Sequence, residues 1–177
     1  MILARSFFEQ KTLKVAQDLL GCFLIRQIGQ KKISGRIVET EAYCGSKDLA
    51  NHASKGRTNR TEAMFGPPGH AYVYLIYGMH YCFNIVTEKS GYPAAVLIRG
   101  VELDDRQTII GPGKVCRALK IDKSLHGVDL VKSQKIWVED NNQRLKDWKI
   151  VKLPRVSIDY AGEYKYKRWR FRINPNQ

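Results

Sequence analysis

Two glutamates stand two residues apart in the run Gly35-Arg36-Ile37-Val38-Glu39-Thr40-Glu41-Ala42-Tyr43. Alternate residues of a strand share a face, so Ile37, Glu39, Glu41 and Tyr43 are expected on one side. Like charges that close should raise at least one carboxylate pKa, which suits a general base. A solvated strand face with two surface glutamates fits the same residues. His52 follows in a polar loop, where a histidine is either plain surface or part of a site. Tyr72, Tyr74, Tyr77 and Tyr81 crowd one hairpin. Tyr72 and Tyr74 share a face with Ile76, and aromatics beside a basic surface can stack on nucleobases. A Tyr-rich core hairpin is the default reading of these residues alone. At the expected tip, Tyr77 and Met79 flank Gly78. Exposed apolar groups are poor design there unless they insert into something, such as the gap left by a displaced base.

The basic residues divide by context. Arg57 and Arg60 lie in a glycine-containing loop, and Lys114 follows Gly113 at a helix start that suits a phosphate. Lys165, Lys167, Arg168, Arg170 and Arg172 form a basic segment near the end of the chain. Ordinary surface charge accounts for each of these about as well. The totals are more pointed: 30 Lys and Arg against 17 Asp and Glu give a formal charge of +13. That excess calls for a polyanionic partner, nucleic acid first, because a basic domain gains affinity by releasing counterions from phosphates. An anionic membrane surface, or plain solubility, is the other reading.

Several classes drop out. Charges at Arg5, Glu9, Lys11 and Lys14 interrupt any signal-peptide core. The uncharged run Phe65 to Thr87 holds prolines, glycines and histidines that do not suit a membrane span. Cys22, Cys44, Cys82 and Cys116 form no C-x-x-C pair, so neither a metal nor a disulfide framework is expected. They read as reduced thiols in an intracellular protein, cytoplasmic, nucleoid-associated or nuclear according to its source.

These residues need a scaffold. Lys11 to Leu20 reads as an amphipathic helix stopped by Gly21. Cys22 to Ile28 and Lys31 to Tyr43 read as strands joined at Gly29-Gln30. Cys44 to Arg60 is a long loop of the kind that carries function. Ala71 to Tyr77 and Tyr81 to Thr87 form a hairpin with Gly78, Met79 and His80 at its tip. Ala94 to Gly100 is another strand, and Gly111-Pro112-Gly113 opens a helix through Leu119. Lys135 to Glu139 and Trp148 to Leu153 look like strands around an Asn141-Asn142 turn. Arg168 to Ile173 alternates arginines with Trp169, Phe171 and Ile173. The expectation is one α+β domain over residues 1–177. Its sheet is curved and mainly antiparallel, with flanking helices and a protruding hairpin.

In this order and spacing, the chain resembles the alkyladenine (3-methyladenine) DNA glycosylase family. The resemblance runs from Leu3-Ala4-Arg5 to Arg170-Phe171. It is carried by Gly35 to Tyr43, by Met64-Phe65, and by Tyr72-Val73-Tyr74-Leu75-Ile76-Tyr77-Gly78-Met79 leading to Asn84. Gly111-Pro112-Gly113-Lys114 and Ala161-Gly162-Glu163 support it. The resemblance implies a monofunctional enzyme that flips a damaged purine from duplex DNA and hydrolyses its N-glycosidic bond. Glu41 matches the general base and Arg99 an arginine that helps hold the attacking water. Tyr43, His52 and Tyr74 match the residues that sandwich the flipped base, and Asn84 one that crowds the 2-amino group of guanine. Tyr77 matches the intercalating residue and Met79 a second wedge. No metal or cofactor is implied, and a monomer acting on damaged double-stranded DNA is expected. His80 departs from the aromatic of some relatives, and Arg57 to Thr61 matches the family's loop only in part. The role of Glu39 stays open between tuning Glu41 and structure.

The chemistry fits the residues. Alkylated purines carry positive charge, which electron-rich rings attract. The charged base leaves readily, and a carboxylate can stabilise the oxocarbenium-like sugar. Deaminated or etheno bases would need ring protonation, for which no acid stands out. A glycosylase/lyase would need an amine nucleophile, and no lysine stands beside the Glu41–Tyr43 motif. A non-catalytic nucleic-acid binding module, or a tRNA-binding domain, would explain the charge but not the glutamate strand.

Overall fold

The computed structural model describes residues 1–76, 78–140 and 149–173. Among the described residues, three short α-helices, α1 (Arg5–Phe8), α2 (Thr12–Asp18) and α3 (Pro112–Ala118), accompany nine strands. The strands are β1 (Phe23–Ile28), β2 (Lys31–Cys44), β3 (Ala71–Ile76), β4 (His80–Val86), β5 (Ala94–Leu103), β6 (Thr108–Ile110), β7 (Ile136–Glu139), β8 (Val151–Leu153) and β9 (Arg170–Arg172). They make one curved antiparallel sheet in an α+β fold. Its order is β3-β4-β5-β2-β1-β7, with β6 on β5 and β9 joining β2 to β8.

Local chemistry explains much of this. β1 and β2 meet at a two-residue turn with Gly29 at φ 55°, the place where a hairpin turn of the II′ kind calls for glycine. Pro112 sits at the start of α3, where its missing N–H costs nothing. α2 lies on β2, and the Thr40 hydroxyl donates to the Ala16 carbonyl at 2.7 Å. The core gathers Val15, Ala16 and Leu19 from α2 and its C-terminal cap, Val38 and Ala42 from β2, Val96 and Ile98 from β5, and Val115 and Leu119 from α3 and its C-terminal cap. A smaller cluster of Ala53, Met64, Tyr72, Val86 and Ala95 lies apart from it.

Several expectations are corrected. Ile37 does not join the glutamate face: it belongs to the main core together with Val38. Register shifts fall between Ile37 and Glu39 and between Glu39 and Thr40. They leave Val38 unmatched on β2 and Arg99 unmatched on β5, and such bulges break period-two alternation. His80 is not in the hairpin tip but opens β4, paired with Ile76. β5 runs three residues beyond Gly100, and β6, too short for a periodic signal, pairs with it. β7 pairs with β1 and β8 with β9, so these two strands are not partners. The Asn141-Asn142 turn and Trp148 lie outside the described residues, as does Tyr77. Only Arg170–Arg172 of the last alternating run is strand.

Candidate active site

β2 delivers Glu41 to the floor of a cavity of about 580 Å³. The cavity is walled by β3, β4 and β5, the 3-10 helix His52–Lys55 and the segment Val156–Tyr160. Its size falls in the usual range for small-ligand sites. Glu41 has no solvent exposure. Its Oε1 accepts the Val156 N–H at 2.9 Å, and its Oε2 accepts the Tyr43 hydroxyl at 2.8 Å. The Arg99 Nε stands 3.6 Å from Oε1. A carboxylate offers about four acceptor positions, so with two filled, room remains for a further donor such as water.

Burial pushes the Glu41 carboxyl above its ordinary value. Arg99, the Val156 N–H, the Tyr43 hydroxyl and Arg170 all pull it back down. Desolvation comes first, ahead of the expected repulsion from Glu39. Desolvation dominates because the group is sealed in the protein.

The long loop that carries His52 is ordered by two buried side chains. Asp48 accepts the Cys44 and Ala50 N–H groups, each at 3.1 Å. Asn51 donates to the Gly45 and Pro93 carbonyls at 3.0 and 2.9 Å, and its own carbonyl caps the 3-10 helix at Ala53. His52 therefore meets the hairpin in a defined pose. Its ring lies 4.6 Å from Tyr74 edge-to-face, and its Nδ1 is 3.2 Å from the Tyr72 hydroxyl. Burial, and then Arg60, lower its pKa to about 4, so this imidazole is neutral at pH 7. Asn84 is buried and donates to the Tyr72 carbonyl at 3.1 Å.

The structure brings Glu41, Tyr43, His52, Tyr74, Asn84 and Arg99 to one cavity. Arg60 joins them. It was expected at the DNA backbone, but its guanidinium lies 5.3 Å from the Tyr74 ring centre. Arg57 stays outside, exposed and paired with Glu62. Lys114 is exposed in the first turn of α3. Met79 stands out at the hairpin tip with 72% of its surface exposed.

Four features escaped the sequence reading. Tyr72 lines the cavity as well as Tyr74. Arg170, expected on a basic stripe facing either a DNA backbone or solvent, reaches inward to Glu39 at 3.1 Å. Its alternation with Trp169 and Phe171 placed it opposite the core, but not against a carboxylate. Arg155 and Asp48 form a fully buried pair at 2.6 and 2.8 Å, with Arg155 also over the Tyr43 ring. Nothing local to Pro154-Arg155 signals burial. Finally, the Val156 N–H is invisible in any side-chain pattern. It is aimed at Glu41 from beside Ser157, whose φ of 58° is uncommon for a residue other than glycine and is the kind of strain found at sites.

Among the described residues no group of His, Cys, Asp and Glu is arranged to hold a metal. No helix is long and apolar enough to cross a membrane.

The chain is similar to known proteins along nearly its whole length. Residues 6–177 match the family described as Methylpurine-DNA glycosylase (MPG). A protein of Methanocella arvoryzae is 50% identical over 96% of this chain and 91% of its own length. One from Legionella pneumophila (strain Corby) is 47% identical over 98% and 95%. One from Desulfitobacterium hafniense is 44% identical over 99% and 96%. All three carry the name "Putative 3-methyladenine DNA glycosylase". With the match running nearly from end to end, the chain belongs to the methylpurine-DNA glycosylase family and is a DNA glycosylase.

Proposed function

We propose that the enzyme flips alkylated or deaminated purines from duplex DNA into this cavity. There it hydrolyses the N-glycosidic bond and leaves an abasic site. The observation that carries the reading is the sealed Glu41 carboxylate, held on both oxygens and still able to accept a water proton. Its pKa is raised by burial, which makes it a stronger base than a surface glutamate and suits it to activate water. As the sugar gains positive charge, the same carboxylate stabilises it at short range in a poorly solvated site.

The rest of the cavity suits a cationic purine. Tyr43, Tyr74 and a neutral His52 offer rings without positive charge, and ring faces attract cations. Asn84, fixed by the Tyr72 carbonyl, is rigid enough to exclude the 2-amino group of an undamaged guanine. Met79 at the tip, with Tyr77 on the strength of the family resemblance, would fill the gap in the stack. Arg57, Arg60 and Lys114 would meet phosphates, Arg60 by leaving the Tyr74 ring. Among the described residues no lysine lines the cavity, which favours hydrolysis over Schiff-base lyase chemistry.

Single-turnover excision tests the reading on duplexes carrying hypoxanthine, ethenoadenine or alkylated bases, with strand breaks scored with and without alkali. Alkali-dependent breaks that vanish in Glu41→Gln while lesion binding persists are expected. Breaks without alkali would mean a lyase. Tight binding with no release from any substrate would mean a non-catalytic module.

A further inference from the structure

Glu39 lies next to the site without lining it. It is fully buried, and its Oε1 is shared by the Arg99 Nε at 3.2 Å and the Arg170 Nη1 at 3.1 Å. Its Oε2 has no hydrogen-bond partner. The chain of charges Glu41–Arg99–Glu39–Arg170 thus alternates in sign, with two carboxylates and two guanidiniums. The backbone is built to allow this. A Cβ placed on Gly100 would stand 3.0 Å from the Glu39 Cβ, so a side chain there would press on β2 at Glu39. The irregular register on either side of Glu39 sets Arg99 out of the ladder.

Arg99 shows what the arrangement does. Its Nε hydrogen-bonds Glu39, while Glu41 is 3.6 Å away, beyond hydrogen-bond range. Arg99 and Glu41, left to themselves in a poorly solvated site, would close into a tight charge-assisted pair. Such a pair would take the lone pair that a water needs.

We infer that Glu39 is a positioning residue: it draws Arg99 back from Glu41 and, balanced by Arg170, sets how much of that positive charge the base experiences. The inference rests on Glu41 being the base. Groups that face Glu41 are Arg99 on β5, Arg170 on β9 and Tyr43 on its own strand. Tyr74 and Cys82 face it from the hairpin, and Arg155 and Tyr160 from the C-terminal segment. None of the other groups links Arg99 to Arg170.

The two ends of the chain should therefore act in opposite directions. Glu39→Gln releases Arg99 toward Glu41, so the acid limb of the single-turnover rate moves to lower pH. Its plateau falls about tenfold or more as Arg99 takes the place of the water. Arg170→Gln removes one charge that pulls Glu41 down and lets Glu39 hold Arg99 more firmly. Its acid limb moves to higher pH. Lesion-duplex affinity, measured alongside, stays near that of the parent in both. Acid limbs that stay in place, or move the same way, overturn the inference and leave Glu39 a structural counterion. If Glu39→Gln alone fails to fold, the double variant Glu39→Gln/Arg170→Gln removes one charge of each sign. Its acid limb should return toward the parent while its plateau stays low; a parental plateau overturns the inference. Glu41→Gln in the same series separates the two levels. Loss of excision there with no effect at Glu39 sinks only this inference, and continued excision there sinks the assignment of the base.

Discussion

The Arg155 guanidinium lies 4.8 Å from the centre of the Tyr43 ring, on a side chain with no solvent exposure. It donates to both Asp48 oxygens and to the Ala42 carbonyl, and the Val156 N–H beside it holds Glu41. One buried ion pair thus ties the His52 loop, the Tyr43 ring and the C-terminal segment together. Removing one partner of such a pair strands the other charge. Arg155→Met should cost roughly 3–5 kcal/mol of stability, read by urea unfolding. Asp48→Asn with Arg155→Met should recover part of that loss. Excision by the double variant should stay low, because Val156 and Tyr43 have lost their support. A parental rate would show that the pair stabilises the fold without serving the site.

Glu41 is held in the folded protein with a pKa above its unfolded value of 4.5. For an acid raised in this way, stability is fully present below the unfolded value and is lost as pH rises through the folded one. Glu41→Gln should therefore melt a few degrees higher than the parent at neutral pH, by about 2–4 °C per kcal/mol in a chain of this size. The gain should vanish at pH 4. Calorimetry at both pH values checks this, and an equal gain at each would assign the effect to packing.

His52 shows the opposite sense. Its folded value of about 4 lies below the ordinary 6.5, so the unfolded chain binds a proton first as pH falls. Stability is retained above pH 6.5 and lost progressively toward 4. His52→Gln should flatten this part of the stability–pH curve. An unchanged slope would place the acid sensitivity at other groups.

Asn84 is anchored by the Tyr72 carbonyl with almost no exposure. Asn84→Ser shortens the side chain and opens space where a 2-amino group would fall. Release of unmodified guanine from undamaged DNA should rise by about tenfold or more, measured by chromatography of freed bases. Release at the parental rate would mean that guanine is rejected before it reaches the cavity.

The strands were legible wherever a local signal repeated. The Gly29-Gln30 turn, the apolar run from Ala94, Pro112 at the helix start and the alternation through Phe171 each declare themselves over a few residues. β6 and the 3-10 helices are too short to establish a period. The bulge beside Glu39 was not legible, because a bulge depends on what the neighbouring strand offers, here Gly100 and an unmatched Arg99.

By itself, the sequence determined the carboxylate strand, the tyrosine hairpin, the excess of positive charge and their order. These are properties of residue type and spacing, and they suffice for the family. Only the tertiary structure decided that burial is the largest cause raising Glu41, that Arg170 turns inward, and that Arg60 lies on Tyr74. It also decided that a backbone N–H from Val156, 115 residues away, completes the base. The reason is physical: pKa, ion-pair geometry and desolvation depend on distances between chain-remote groups in a low-dielectric interior, and no local pattern encodes those distances.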